Sequence, residues 1–171
     1  LVFSVKISYD GQCVAIHPGQ TEVACGGGDQ KVHVYTLSGD TLQERATFDH
    51  QGAVTDLKYS PDGALMAAAD SNRKVVLYEI PDYKAKVTTE WGYHTAKVNS
   101  LCWTPDGQHV ASGALDCQLV VWWPQSKTKY TVVKGAHPMS QVTRVAWIDN
   151  NTLVSVGQDS CLKQWRITHQ Q

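Results

Sequence analysis

HTAKVNSLCWTPDGQHVASGALDCQLVVW, residues 94–122, is the stretch whose reading decides the fold. It holds His94, an alternating apolar run at Val98–Trp103, a Pro105-Asp106-Gly107 turn, a second run with Ser112, a sharp turn at Asp116 and a third run ending in Trp122. Alternation with period two puts successive side chains on opposite faces of a strand. Pro-Asp-Gly joins two such runs because proline presets φ and glycine accepts a positive one. The stretch therefore reads as three antiparallel strands of one small sheet.

The same grammar returns on both sides. Asp29, Asn72, Asp116 and Asp159 step by 43, 44 and 43 residues, and so do Tyr35, Tyr78, Trp122 and Trp165, each six positions further on. His50, His94 and His137 step by 44 and 43. Three series with one period of about 43 mark the WD-type β-propeller repeat, whose unit is one four-stranded blade. The fold expected is all-β: about four four-stranded blades, part of a seven-bladed ring whose last blade is completed by a distant strand.

Residues 1–10 are expected to form the outer strand of a preceding blade, followed by repeats at 11–49, 50–92, 93–135 and 136–171. Four strands are placed near Cys13–His17, Val23–Gly26, Lys31–Leu37 and Leu42–Phe48. The next four lie near Val54–Tyr59, Leu65–Ala69, Lys74–Ile80 and Ala85–Trp91. Repeat three has Val98–Trp103, His109–Gly113, Gln118–Trp123 and Tyr130–Val133, and repeat four has Val142–Ile148, Thr152–Val156 and Cys161–Ile167. The residues after Ile167 supply no further strand, and an opening on Leu1 reads as a fragment or a processed chain.

Composition narrows the classes. A net charge of −1 with 18% charged residues gives no bulk attraction to nucleic acid or an anionic membrane. No run approaches 18 apolar residues, and no signal peptide is visible. The five cysteines are odd in number and lack a Cys-x-x-Cys. They read as small buried hydrophobes of a reducing cytoplasm, ahead of a disulfide or metal set.

His94, Ser112, Asp116 and Trp122, and again His137, Ser155, Asp159 and Trp165, can form a buried chain: indole to serine, serine to imidazole, imidazole to carboxylate. Serine, histidine and aspartate together suggest hydrolysis. Their return once per blade, without a Gly-x-Ser-x-Gly elbow, makes them scaffold instead. Repeat two has Ala68, Asn72 and Tyr78, which leaves His50 without serine and carboxylate. Repeat one has Cys25 and Tyr35, and Tyr9-Asp10 offers no histidine. These two blades are expected to be the more labile pair.

Gly26-Gly27-Gly28 lacks the Lys-Ser/Thr and helix of a phosphate loop and reads as a tight strand end. His17, His33, His109 and His169 show no metal-ligand spacing. No catalytic residue, metal site or cofactor is expected, which leaves the loops that join strands d to a and b to c on one face of the propeller. Arg73, Tyr93, Lys97, Met139 and Arg144 lie in or near them. Trp123, whose side chain is either packed on the next blade or exposed, completes the candidate protein-binding surface.

AVTDLKYSPDGALMA at 53–67, HTAKVNSLCWTPDGQHVASGALDCQLVVW at 94–122 and VTRVAWIDNNTLVSVGQDSCLKQW at 142–165 go beyond a generic repeat. Together with AIHPGQTEVACGGGDQKVHVY at 15–35, they resemble the C-terminal part of the actin-interacting protein 1 (WD-repeat protein 1) family. The resemblance implies two linked propellers that bind actin filaments decorated with cofilin, the actin-depolymerising factor, and promote their disassembly without catalysis, in the cytoplasm at the actin cytoskeleton. It also implies that the remaining blades of the same propeller are partners, with no nucleic acid and no membrane. That family's actin- and cofilin-facing surfaces lie largely in its N-terminal propeller, so no contact residue is carried onto this numbering. The alternative is a WD-repeat scaffold or adaptor in another multiprotein complex, such as a ubiquitin-ligase substrate receptor.

Overall fold

The computed structural model describes residues 4–88 and 91–168. In it the chain forms four antiparallel sheets, laid side by side in sequence order. Blade one comprises β1 (Gly11–Ile16), β2 (Glu22–Gly27), β3 (Lys31–Ser38) and β4 (Thr41–Asp49). Blade two comprises β5 (Val54–Tyr59), β6 (Leu65–Asp70), β7 (Val75–Glu79) and β8 (Lys84–Val87). Blade three comprises β9 (Val98–Trp103), β10 (Val110–Ala114), β11 (Leu119–Trp122) and β12 (Tyr130–Val133). Blade four has β13 (Val142–Trp147), β14 (Thr152–Gly157) and β15 (Leu162–Arg166), a sheet of three strands. Each blade is a meander, and the first strands β1, β5, β9 and β13 of successive blades lie against one another on the inner side.

The strand ends follow turn chemistry. Gly63 and Gly107, with φ of 74° and 71°, close the Pro-Asp-Gly turns, and Gln20, with φ of 55°, holds the matching place in blade one. The turns between second and third strands each use a non-glycine residue in the left-handed region: Gln30, Arg73, Cys117 and Ser160. Each follows the Asp or Asn of the periodic series.

Three expectations need correction. Residues 4–10 hold no strand, and residues 1–3 of the expected outer strand lie outside the described residues. An outer strand needs a third strand of its own blade to pair with, and none is present beside 4–10. The strand expected at Ala85–Trp91 ends at Val87, with residues 89–90 outside the described residues, and Trp91 turns inward, 1% exposed. His169 also lies outside the described residues. The cysteines are not a buried set either: Cys13, Cys25, Cys102 and Cys117 are half-buried, Cys161 is exposed, and all five are free thiols. Cys117 and Cys161 sit in or beside hairpin turns, where the chain meets solvent.

The core is laminated. One apolar seam joins blades one and two through Val32, Val34, Val54, Leu57 and Met66; a second joins two and three through Leu77, Trp91, Leu101 and Trp122; a third joins three and four through Leu119, Val142 and Leu153. The third strands of blades two and three are therefore buried on both faces, whereas β15 of blade four alternates exposed with half-buried. Val14 and Ile16 on blade one and Leu162 on blade four remain largely exposed on the bare outer faces of the row.

Candidate functional site

The four blades carry a polar chain each, but not the same one. In blade three, Trp122 Nε1 lies 2.8 Å from Ser112 Oγ, Ser112 Oγ lies 2.7 Å from His94 Nε2, and His94 Nδ1 lies 2.9 Å from Asp116 Oδ2. An indole can only donate and a carboxylate only accept, so the serine hydroxyl gives its proton to Nε2 and Nδ1–H faces the aspartate. Blade four matches it: Trp165 to Ser155 at 2.9 Å, Ser155 to His137 at 2.8 Å, His137 to Asp159 at 2.7 Å. Asp116 also accepts the amides of Thr95 and Gln118, tying the loop that enters the blade to its hairpin turn.

Burial alone would raise the Asp116 carboxyl. The bonds from His94, Thr95 and Gln118 outweigh that and hold it below the usual carboxylate range. Desolvation likewise opposes ionisation of Asp159, and His137, the Cys161 amide and Lys163 overcome it, bringing the value to about 2.

Ser112 and Ser155 are at most 1% exposed, and each already receives an indole N–H. A substrate carbonyl has no approach to either hydroxyl, so these sets fasten blades and perform no hydrolysis. Among the described residues no group of histidine, cysteine, aspartate or glutamate is arranged to hold a metal ion.

In blade two His50 has no serine, as expected, but a tyrosine takes the serine's place and a carboxylate stands near Nδ1 without a hydrogen bond to it. The Tyr78 hydroxyl reaches past Ala68 directly to His50 Nε2 at 2.8 Å, and Asp70 Oδ2 lies 3.5 Å from His50 Nδ1. Asp70 occupies the strand position held by Gly27, Ala114 and Gly157 in the other blades, two residues before the Asn72 of the periodic series. Its other oxygen accepts the amides of Asn72 and Lys74. Burial pushes the Tyr78 phenol upward, so it stays a donor.

Blade one lacks the histidine of the periodic series and uses tyrosine in its place. Tyr9 and Tyr35 share a hydroxyl bond of 2.8 Å, and the Tyr9 ring lies flat on His33, with centroids 3.8 Å apart. His33 is clamped between Asp29 and Glu44 at 3.1 and 2.8 Å.

The aromatic seam was legible only in part. Trp91 stacks on Trp122 with centroids 5.2 Å apart, and Phe48 lies against Tyr78 with centroids 4.5 Å apart, the rings tilted by 49°. Phe48 and Trp91 are 43 residues apart, a step of the common period that would have paired them.

With catalysis removed, the surface remains. Met139 is fully exposed and Arg73, Lys97 and Arg144 are exposed, all on the end of the row that carries the fourth-to-first and second-to-third connections. Tyr93 is half-buried against Tyr130, with centroids 5.1 Å apart. Trp123 is separate from these five. It follows β11 at the opposite end of the blade, half-buried in the seam between blades three and four, edge-on to His109 at 4.9 Å and beneath Lys129 Nζ at 5.2 Å. A second series was not foreseen: Gln12, Thr55, Asn99 and Thr143 stand at one position near the start of each inner strand, 43, 44 and 44 residues apart. The Thr55 hydroxyl donates to the Val98 carbonyl at 2.6 Å and the Asn99 amide to the Val142 carbonyl at 2.7 Å, stitching blade two to blade three and blade three to blade four.

Comparison with known proteins agrees with this architecture. The WD domain, G-beta repeat model matches residues 85–122 and 128–166, and the anaphase-promoting complex subunit 4 WD40 domain model matches 18–95. Actin-interacting protein 1 of Drosophila melanogaster is 46% identical over 166 residues, covering 97% of this chain and 27% of that protein. Its namesake in Caenorhabditis elegans is 41% identical over 95% of this chain and 27% of its own length. WD repeat-containing protein 1 of Rattus norvegicus is 38% identical over 94% of this chain, again 27% of its own length. The chain thus spans about a quarter of the length of these relatives. The solved structure of U3-55K superposes with a TM-score of 0.85 over 95% of this chain and 50% of that one; at 16% identity this likeness speaks for the fold alone.

Proposed function

We propose that this chain, which belongs to the actin-interacting protein 1 (WD-repeat protein 1) family of WD-repeat β-propellers, serves without catalysis in the disassembly of cofilin-decorated actin filaments. The observation that carries this reading is 46% identity to the Drosophila actin-interacting protein 1 across 97% of the chain. The blades fit the role: their reactive-looking residues are internal fastenings, and what they present outward is a rigid loop face. Arg73, Lys97, Met139 and Arg144 on that face are the contact residues we assign to protein partners, with Tyr93 at its edge.

In the same reading the chain belongs to the C-terminal part of its parent and works in the cytoplasm on the actin cytoskeleton. Its repeats, at 11–49, 50–92, 93–135 and 136–171, belong to a seven-bladed ring, and a distant strand pairs with the free edge of β15. The exposed Val14, Ile16 and Leu162 support further blades on both sides of the row.

Cosedimentation of the full-length protein with actin filaments, with and without cofilin, tests the function. Pelleting that rises with cofilin, together with faster filament loss, is expected; pelleting indifferent to cofilin would sink the reading. The match of residues 18–95 to a WD40 domain of the anaphase-promoting complex favours a second reading, an adaptor in a multiprotein assembly. Cofilin-independent behaviour together with stable recovery in such an assembly would favour it.

A further inference from the structure

The inner strands start around a polar pocket of about 270 Å³ lined by Gln12, Thr55, Lys97, Asn99, Gln141, Thr143 and Arg144. Four of the seven are the equivalent positions of four successive blades, so the pocket sits where the row converges on its inner side. Its chemistry is one-sided. Lys97 and Arg144 are cations with no carboxylate partner among the described residues, and the other five side chains are neutral amides and hydroxyls. The nearby carboxylates already have partners, one of them in the pocket wall itself. Asp10 accepts from the Gln12 amide, and Asp56 accepts the amides of Leu57 and Leu101 and pairs with Lys58.

The guanidinium is also held in place. Arg144 Nη1 donates to the carbonyls of Asn99 and Thr143 at 3.3 and 3.0 Å, leaving the rest of its fork free. The Asn99 amide nitrogen donates to Gln141 and to the Val142 carbonyl, fixing the pocket wall. A guanidinium whose orientation is already set loses less freedom on meeting a planar anion, and a carboxylate matches its geometry.

We propose that this pocket is a recognition site for an acidic peptide segment, in which a glutamate or aspartate carboxylate pairs with Arg144 and Lys97 while the ring of amides and hydroxyls binds its neighbouring polar groups. Nucleic acid is the poorer occupant, because two cations offer no track of phosphate contacts and the chain's net charge is −1. The site deepens the loop-face reading but does not depend on actin or cofilin, so peptide binding and filament cosedimentation can fail separately.

The test is fluorescence anisotropy of a labelled hexaglutamate peptide on the full-length protein, with hexaglutamine and inorganic phosphate as competitors. Expected are saturable binding that weakens as salt is raised, no competition by hexaglutamine, and at least a tenfold loss in Lys97→Ala/Arg144→Ala. Lys84→Ala, which removes one exposed cation from the outer strand β8, away from the loop face, is expected to bind within twofold of the parent. Equal loss in Lys84→Ala, unchanged binding in the double variant, equal competition by hexaglutamine, or full competition by millimolar phosphate would each overturn the proposal. Both pocket cations are exposed, so the double variant should keep the parent's melting temperature, which is measured alongside.

Discussion

Blades three and four hold their layers together with tryptophan, serine, histidine and aspartate; blades one and two do so with tyrosine. In the first pair a serine hydroxyl relays between a donor-only indole and an imidazole, and four groups are satisfied in one buried line. In the second pair a phenol, both donor and acceptor, removes the need for a relay: Tyr78 reaches His50 itself, and Tyr35 meets Tyr9. The same fastening can therefore be built with fewer parts, provided the aromatic residue carries its own hydroxyl. The shorter line leaves more space. A cleft of about 420 Å³ runs beside Phe48, His50 and Tyr78, where blade three stacks two indoles.

The comparison breaks most readily at the relay. Ser112→Ala would strip both the Trp122 N–H and His94 Nε2 of their partner inside a blade buried on both faces. A loss of about 3 kcal/mol is expected from two orphaned groups, read from urea unfolding. Tyr78→Phe in blade two orphans only His50 Nε2, so a loss of about 1–2 kcal/mol is expected by the same measurement. Equal costs would mean that the relay adds nothing to the direct contact. Native-state hydrogen exchange sharpens the contrast further: the amides of Thr95 and Gln118, held by Asp116, are expected to exchange more slowly than the turn amides of blade one, and uniform protection across all blades would remove the distinction.

Acid separates the same parts. Asp116 and Asp159 have folded values below the ordinary carboxylate range of about 4. Their contribution is therefore complete above that range and is lost as pH falls through the folded values, about 2 for Asp159. Melting temperatures from pH 5 to pH 2 should fall less steeply for Asp116→Asn than for the parent. The smallest effect belongs to the hairpin turns. Ser160 sits at φ 59°, so Ser160→Gly should stabilise by up to about 1 kcal/mol. A destabilised variant would show that the serine side chain, rather than its backbone, matters there.

Period and alternation located nearly every strand within a residue or two, because both are local: a two-residue side-chain rhythm and a turn residue at a set offset need no knowledge of the rest of the chain. The partners of His94 and His137 could be read the same way, since serine, aspartate and tryptophan recur at constant spacing. His50 could not. Its carboxylate comes from Asp70, off the periodic series, and its hydroxyl from an aromatic ring whose reach is set by the alanine beneath it. Trp123 and the pocket that gathers Lys97 and Arg144 were illegible for a related reason, since each depends on a contact with another strand or blade. The sequence by itself determined the number of blades in this chain, the order of their strands and the family. Only the tertiary structure decided which groups meet, because a side chain's neighbours across a seam are fixed by how whole sheets stack, and no local rhythm encodes that distance.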